Sequence, residues 1–337
     1  MPGTGSGMGL GKTGTKLIVG CLVGAGFLYL ALRNVDFSQM GEAFLSAHYG
    51  YLLGTLVIIF FSHILRALRW KYLMAPIKEV DIRSLFVSLI IGYMANVVMP
   101  AHLGEIVRAY VLGRKRGVSA SSALATIVVE RILDVFALMG IMVLSILLYP
   151  FPGWMKNAGY LMLAGAVALL FFLILLKAAY PRIQPFIGVI LRPLPPQVHK
   201  KVLDFLEKFI AGIVPLRSGP DYAIVILLSI GIWVLYGLIF HLTLHAFDFF
   251  EIYQLPWFAG LIPLVVTTLA IVIPSSPGYV GTYHYLCQVA MAMFGVPAGP
   301  ALSFGTAVHA VNFLPILIAG LILAYYEGVQ ITQFNRR

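Results

Sequence analysis

Long runs of apolar residues constrain this chain more than any other feature. Runs such as 51–62, 135–148, 158–176 and 222–240 recur along nearly its whole length. A helix needs about 20 such residues to cross the hydrocarbon of a bilayer. A membrane-spanning barrel would instead show alternating segments of about ten, which are absent. With 60% hydrophobic and 11% charged residues and a mean hydropathy of +0.94, an ordinary soluble domain is excluded. The chain reads as an all-α polytopic membrane protein.

The formal net charge of +10 does not point to nucleic acid. Lys and Arg cluster in short loops between the apolar runs, which is the positive-inside pattern. Six full spans are expected at about 16–32, 51–68, 119–148, 158–176, 222–247 and 301–325. Putting their basic ends in the cytoplasm places both termini there, in a multi-pass protein of the cell (inner) membrane; Arg33, Lys156 and Arg131 are the exceptions. Residues 1–15, rich in Gly, Thr and Ser, read as a disordered tail before a single domain, 16–337. Cys21 and Cys287 both sit in apolar segments and imply neither a disulfide nor a metal site.

Two segments break the pattern. Ile82–Met99 stops at Pro100, and Leu103–Leu112, too short to cross, leads straight into Arg114, Lys115 and Arg116. A re-entrant hairpin keeps those cations on one side, since broken backbone is tolerated at membrane depth where protein surrounds it. A second hairpin is expected around Pro274–Gly278. The Pro100-to-Gly104 spacing repeats there, and GVSASSAL at 117–124 is echoed by GVPAGPAL at 295–302. That register pairs Arg131 with His309 and Asp134 with Asn312. Three crossings separate the hairpins, so the halves, about 51–148 and 222–326, form an inverted-topology repeat. In transporters such repeats place the substrate site near the midplane.

Charges within apolar helices are expensive and mark functional sites. Arg131 and Asp134 share a helix face, with Glu130 about 100° away. They can form a cationic site for a lipid phosphate poised by carboxylates, or an ion pair tying helices together. Glu105 and Arg108 repeat the spacing on the first hairpin; Arg108 can bind phosphate or reach back to the headgroups. Helix arms starting at Gly104 and Gly278 would offer N–H groups to an anion. His284 and His309 can titrate near neutral pH or be satisfied core residues. Arg66 and Arg69 read as interfacial anchors able to gather headgroups. The basic segment 182–217 contains an amphipathic stretch, Pro196–Ile213. It reads as a helix in the membrane plane meeting anionic lipid, or as one packed on the bundle. His241, His245 and Asp248 have helical metal spacing but lack the Glu of a zinc protease motif.

The motifs RALRW at 66–70, PAHLGEIVRAY at 100–110, ERILD at 130–134 and PSSPGYVG at 274–281 resemble the lysylphosphatidylglycerol synthase transmembrane-region family. That family includes the flippase domain of the multiple peptide resistance factor and single-domain relatives. The resemblance implies a flippase that moves aminoacylated phospholipid between leaflets. This sequence departs from the pattern in carrying no soluble aminoacyl-transferase region, and in having His284 where a Glu is expected and His309 where an Arg is expected.

The expected function is a lipid flippase carrying a phosphate-bearing headgroup through a midplane polar cavity. Its expected lining is Glu105, Arg108, Glu130, Arg131, Asp134, His284, His309 and Asn312, with Gly104, Gly278, Arg66 and Arg69 contributing. No nucleotide-binding motif, cofactor or catalytic constellation is evident, so movement would be downhill or ion-coupled. The expected partners are an anionic or aminoacylated phospholipid substrate, the membrane, and a separate lipid synthase or glycosyltransferase; a homodimer is left open. The alternatives are an intramembrane enzyme or flippase acting on a polyprenyl-phosphate-linked lipid, or a non-transporting partner of a lipid synthase.

Overall fold

The computed structural model describes residues 8–99, 103–149, 153–213, 216–272 and 276–329. The expected breaks at Pro100 and at Pro274 and Ser275, and the basic pair Arg336 and Arg337, lie outside them. The described residues form α1 (Met8–Leu32), α2 (Phe37–Leu45), α3 (Tyr49–Met74), α4 (Ile82–Val98), α5 (Gly104–Arg116), α6 (Ala120–Leu148) and α7 (Gly153–Ile190). There follow α8 (Pro196–Ala211), α9 (Gly219–Ala246), α10 (Phe249–Ile252), α11 (Leu261–Val272), a 3-10 turn (Pro277–Tyr279), α12 (Thr282–Ala292) and α13 (Ala298–Tyr326). No strand occurs among them. The chain is an all-α polytopic membrane protein: α3, α6, α9, α13 and residues 156–190 of α7 are long and apolar enough to cross. Six full spans were expected; in the first, the apolar part among described side chains is Gly20–Leu32. Helix α1 is continuous from Met8, so it takes in residues assigned above to a disordered tail. Gly and Thr weaken a helix by less than about 1 kcal/mol each, which an adjoining apolar span offsets.

Packing divides the chain into two compact units, residues 1–62, 90–104 and 234–337, and residues 63–89 and 105–233. In the first, α12 packs against α1, α11 and α13. Gly281 (φ +91°) makes the contact with α1: a Cβ there would lie 2.2 Å from the carbonyl of Gly24. The expected plain connection 33–48 instead contains α2. Asp36 caps it, accepting from the Ser38 N–H at 2.9 Å, and the hydrogen bonds from Ser38 hold the Asp36 carboxyl below its usual range. Ser303 on α13 donates to the Met40 carbonyl at 3.1 Å.

The core of the second unit gathers Trp70, Met74, Leu85, Leu112, Ala123 and Ile127. Ser119 caps α6, as its position predicts. Helix α7 runs through Pro181 and Pro185 to Ile190, well past the expected end at 176. Each proline removes one intrahelical bond, a loss that long apolar helices accommodate by local adjustment. Of the expected amphipathic segment, α8 is held on the start of α6, where Ser122 donates to the Lys208 carbonyl at 2.7 Å. Val198 and Phe205 remain exposed along it. Before α4, burial works to raise the Asp81 carboxyl. Hydrogen bonds from Ser84 N–H and Oγ (2.8 and 3.0 Å) and the Arg116 guanidinium outweigh it and hold Asp81 low.

Helices α6 and α13 are both 29 residues long. Each starts three residues after a left-handed glycine, Gly117 at φ +63° and Gly295 at φ +76°. The echo in sequence is therefore an echo in backbone conformation.

Candidate functional site

The residues singled out from sequence fall into two groups, one in each unit. In the second unit, Arg66, Arg69, Arg108 and Arg131 converge on Glu130, Asp134 and Glu105. Arg108 forks onto Glu130, Nη1 to Oε1 at 3.1 Å and Nη2 to Oε2 at 2.9 Å. Arg131 Nη2 donates to the same Oε1 at 2.7 Å and lies 3.4 Å from Asp134 Oδ2. Arg66 bonds Asp134 Oδ2 at 3.0 Å, and Arg69 bonds Asp134 Oδ1 at 2.7 Å and Ser229 Oγ at 2.9 Å. Glu105 Oε1 lies 3.4 Å from Arg131 Nε. These are charge-assisted contacts, bidentate at Arg108, of the kind guanidinium geometry favours.

Local sequence explains the convergence. Arg66 and Arg69 are three apart on α3 and so share a face, as do Arg131 and Asp134 on α6. The Arg108 guanidinium lies 3.7 Å over the Trp70 ring, and Trp70 Nε1 donates to Thr126 Oγ1 at 2.9 Å. A cation on an aromatic face is held without being neutralised. Sequence reasoning missed Trp70, Thr126 and Ser229, although Trp70 adjoins Arg69 within the quoted motif.

Three expectations need correction. Arg66 and Arg69 are not interfacial anchors: both are buried, Arg69 completely, because the α6 carboxylates supply counter-charges that headgroups would otherwise provide. Glu130 does not point away from Arg131; the long side chains bend the angle out and bond. Arg108 does not reach back to the headgroups: it is buried, and this arm reaches to α6, Glu105 to Arg131 and Arg108 to Glu130.

Among the described residues, four guanidiniums face three carboxylates in this cluster, leaving one surplus positive charge. Nε of Arg69 and Nε of Arg108 are buried without hydrogen-bond partners among the described residues, so donors also exceed acceptors. Glu130 is fully buried, whereas the Arg131 side chain is 34% and Glu105 24% exposed. An anion arriving here would meet Arg131 and Glu105 first.

In the first unit, His284 on α12 and His309 on α13 stand with ring centroids 4.7 Å apart. His309 Nε2 donates to the Gly278 carbonyl at 2.7 Å and its ring stacks on Phe313 at 4.5 Å. The Asn312 amide is turned back to the Val308 carbonyl of its own helix. Gly104 does begin α5, but its N–H is taken by Asn96 Oδ1 at 2.7 Å, so it is not open to an anion. Gly278 does not begin a helix arm. It is a left-handed residue (φ +65°) in the 3-10 turn, and α12 starts at Thr282. Near α10, His245 stacks on Tyr51 at 5.7 Å and His241 lies 4.9 Å from it, while Asp248 pairs with His48 at 3.0 Å.

Comparison with known proteins finds relatives named as membrane proteins. A UPF0104 membrane protein of Methanothermobacter thermautotrophicus is 26% identical over 88% of this chain and 90% of its own length. Another from Methanocaldococcus jannaschii is 23% identical over 68% of this chain and 92% of its own. The glycosyltransferase AglD of Haloferax volcanii is 26% identical over 90% of this chain, which spans about half of that relative, 53%. No solved structure matches. The profile of the lysylphosphatidylglycerol synthase transmembrane region matches residues 17–320. The chain belongs to that family.

Proposed function

We propose that the protein is a lipid translocase that moves a phosphate-bearing phospholipid headgroup between leaflets, with the Arg131 cluster as the headgroup contact. The single observation that carries the proposal is the surplus positive charge whose most exposed member is Arg131. Glu130, Asp134 and Glu105 hold Arg131 in place while no lipid is present. A phosphate offers the same planar acceptor pair as a carboxylate. It can therefore take over Arg131 while Arg66, Arg69 and Arg108 keep the buried carboxylates neutralised. Membership of a family named for lysylphosphatidylglycerol synthesis supports a lipid substrate. We take the protein to lie in the cytoplasmic membrane with both termini on the cytoplasmic side, from the basic loops.

Purified protein in liposomes carrying a fluorescent phospholipid tests the proposal. Wild type should accelerate leaflet exchange, and Arg131→Ala should slow it by at least about tenfold, the cost of one charge-assisted contact. Wild-type exchange no faster than empty liposomes would sink the translocase. Unimpaired exchange by Arg131→Ala would sink the site.

A second reading is favoured by the relative named as a glycosyltransferase: the lipid is a polyprenyl phosphate, or the chain serves a transferase as its membrane partner. Liposomes containing polyprenyl phosphate separate these readings. Exchange of that lipid names the substrate and a new lipid mass reveals an enzyme; if neither is seen, the phospholipid reading stands.

A further inference from the structure

The charged cluster absorbs most of the ionisable groups read from sequence, but not the imidazole pair of the first unit. We propose that His284 and His309 form a one-proton site that binds a phosphate oxyanion only when protonated, so that proton and anion load together.

Three observations carry this. The first is proximity. Gly305, one turn before His309, lets α13 approach α12 closely; a Cβ there would stand 3.1 Å from the Cys287 Cβ and 3.9 Å from the His284 carbonyl. The rings then meet at 4.7 Å, with Tyr283 edge-on to His309 at 5.3 Å. Two imidazolium ions at that distance would repel strongly, so the pair takes one added proton rather than two.

The second is the hydrogen-bond pattern. A carbonyl only accepts, so the bond to Gly278 fixes the proton of neutral His309 on Nε2. Nδ1 of His284 is buried with no hydrogen-bond partner among the described residues, and the residue as a whole is 8% exposed. A buried polar atom without a partner is costly, and this one belongs to a ring 4.7 Å from its neighbour.

The third is the missing counter-charge. The carboxylates of this unit are Asp36, Glu42, Asp248, Glu251 and Glu327, and every one lies outside α1, α11, α12 and α13. Helix α2, which bears Glu42, meets α13 at Gly299 and Ser303, some two turns before His309. Helix α11 carries no ionisable group, and Tyr283, Tyr285 and Cys287 are the other titratable groups on α12. Tyr279 in the turn, Tyr325 and Tyr326 on α13, Tyr93 on α4, Cys21 and Tyr29 on α1, Tyr49 and Tyr51 on α3, and Tyr236, His241 and His245 on α9 are this unit's uncharged titratable groups on the neighbouring elements, and Lys12 and Lys16 on α1 are its cations there. A protonated imidazole here must therefore take its negative partner from outside this unit's helices. Phosphate fits, because an imidazolium donates from both ring nitrogens. The hydrogen bond from His309 to Gly278 would then pass the change to a turn of left-handed residues, Gly278, Tyr279 and Gly281.

The inference rests on the translocase reading only for naming the source of the phosphate, and its test is a binding measurement needing no transport. Detergent-solubilised wild type, made in a phosphate-free detergent with 15N-labelled histidine, is titrated by NMR. His284→Gln and His309→Gln assign the two signals. The titration is repeated with inorganic phosphate, with short-chain phosphatidylglycerol and with short-chain diacylglycerol. Phosphatidylglycerol should bind at least about tenfold more tightly at about pH 5.5 than at about pH 7.5. Linkage then requires it to shift the pair's titration to higher pH. Either Gln variant should reduce the pH effect to less than about twofold. An effect of phosphatidylglycerol but not diacylglycerol assigns the anion to a lipid headgroup. An effect of inorganic phosphate alone supports the site with a free anion as its ligand. Midpoints unmoved by either phosphate compound, or two full protonation steps above about pH 5, would overturn the proposal.

Discussion

Glu130 is the residue on which the charged cluster depends. It is wholly buried and bonds Arg108 with both oxygens and Arg131 with one. Removing one partner of a buried ion pair leaves an uncompensated charge and costs about 3–5 kcal/mol. Glu130→Gln should therefore lower the thermal midpoint in detergent markedly. Arg131→Ala, whose side chain is a third exposed, should cost no more than about 1 kcal/mol. Equal midpoints for the two variants would mean that Glu130 is not the hub. Every charged member of this cluster was legible in the sequence, because ionised groups in apolar helices announce themselves. The partners were not. Arg66 and Arg69 looked like anchors since nothing in α3 alone shows that carboxylates some 64 residues on will meet them. Spacing reveals which groups share a face, never which face meets it.

At the scale of elements, glycines set the close approaches. Gly104 packs against α4 so tightly that a Cβ would stand 1.9 Å from the Gly92 carbonyl and 2.6 Å from Asn96 Oδ1. Gly104→Ala must open the fold-back between α4 and α5 or displace Asn96, the residue that caps α5. Overpacking of this kind costs about 1–3 kcal/mol or more. Faster amide hydrogen exchange at residues 104–108 is the expected outcome; unchanged exchange would show that the backbone yields freely. The existence of both short arms could be read from length and from the basic exit at 114–116. That Gly278 begins no helix could not, because the positive-φ residues Gly278, Tyr279 and Gly281 depend on packing against α1. Helix α2 was legible in principle through the Asp36 cap and went unread because nine residues are too few to span a bilayer.

For the molecule as a whole, class and number of long helices followed from hydropathy, but the division into two units did not. The units cut across α3, α4 and α9, so neither coincides with a half of the repeat expected from sequence. The orientation inferred from basic loops makes a direct prediction. In a background without Cys21 and Cys287, a cysteine at Lys201 should react with an impermeant reagent only from the cytoplasmic side, and one at Lys156 only from outside. Labelling of both from one side would overturn the orientation. The buried cluster also bears on how the protein is made. Arg66 and Arg69 are synthesised before Glu130 and Asp134, with 64 residues between Arg66 and Glu130. At about 5–20 residues per second, α3 waits roughly 3–13 s for its counter-charges. Each cation costs about 2.5–3.5 kcal/mol to place at the centre of the membrane alone. The C-terminal turns of α3 therefore settle only once α6 has emerged from the ribosome, and biogenesis of this chain cannot proceed one helix at a time.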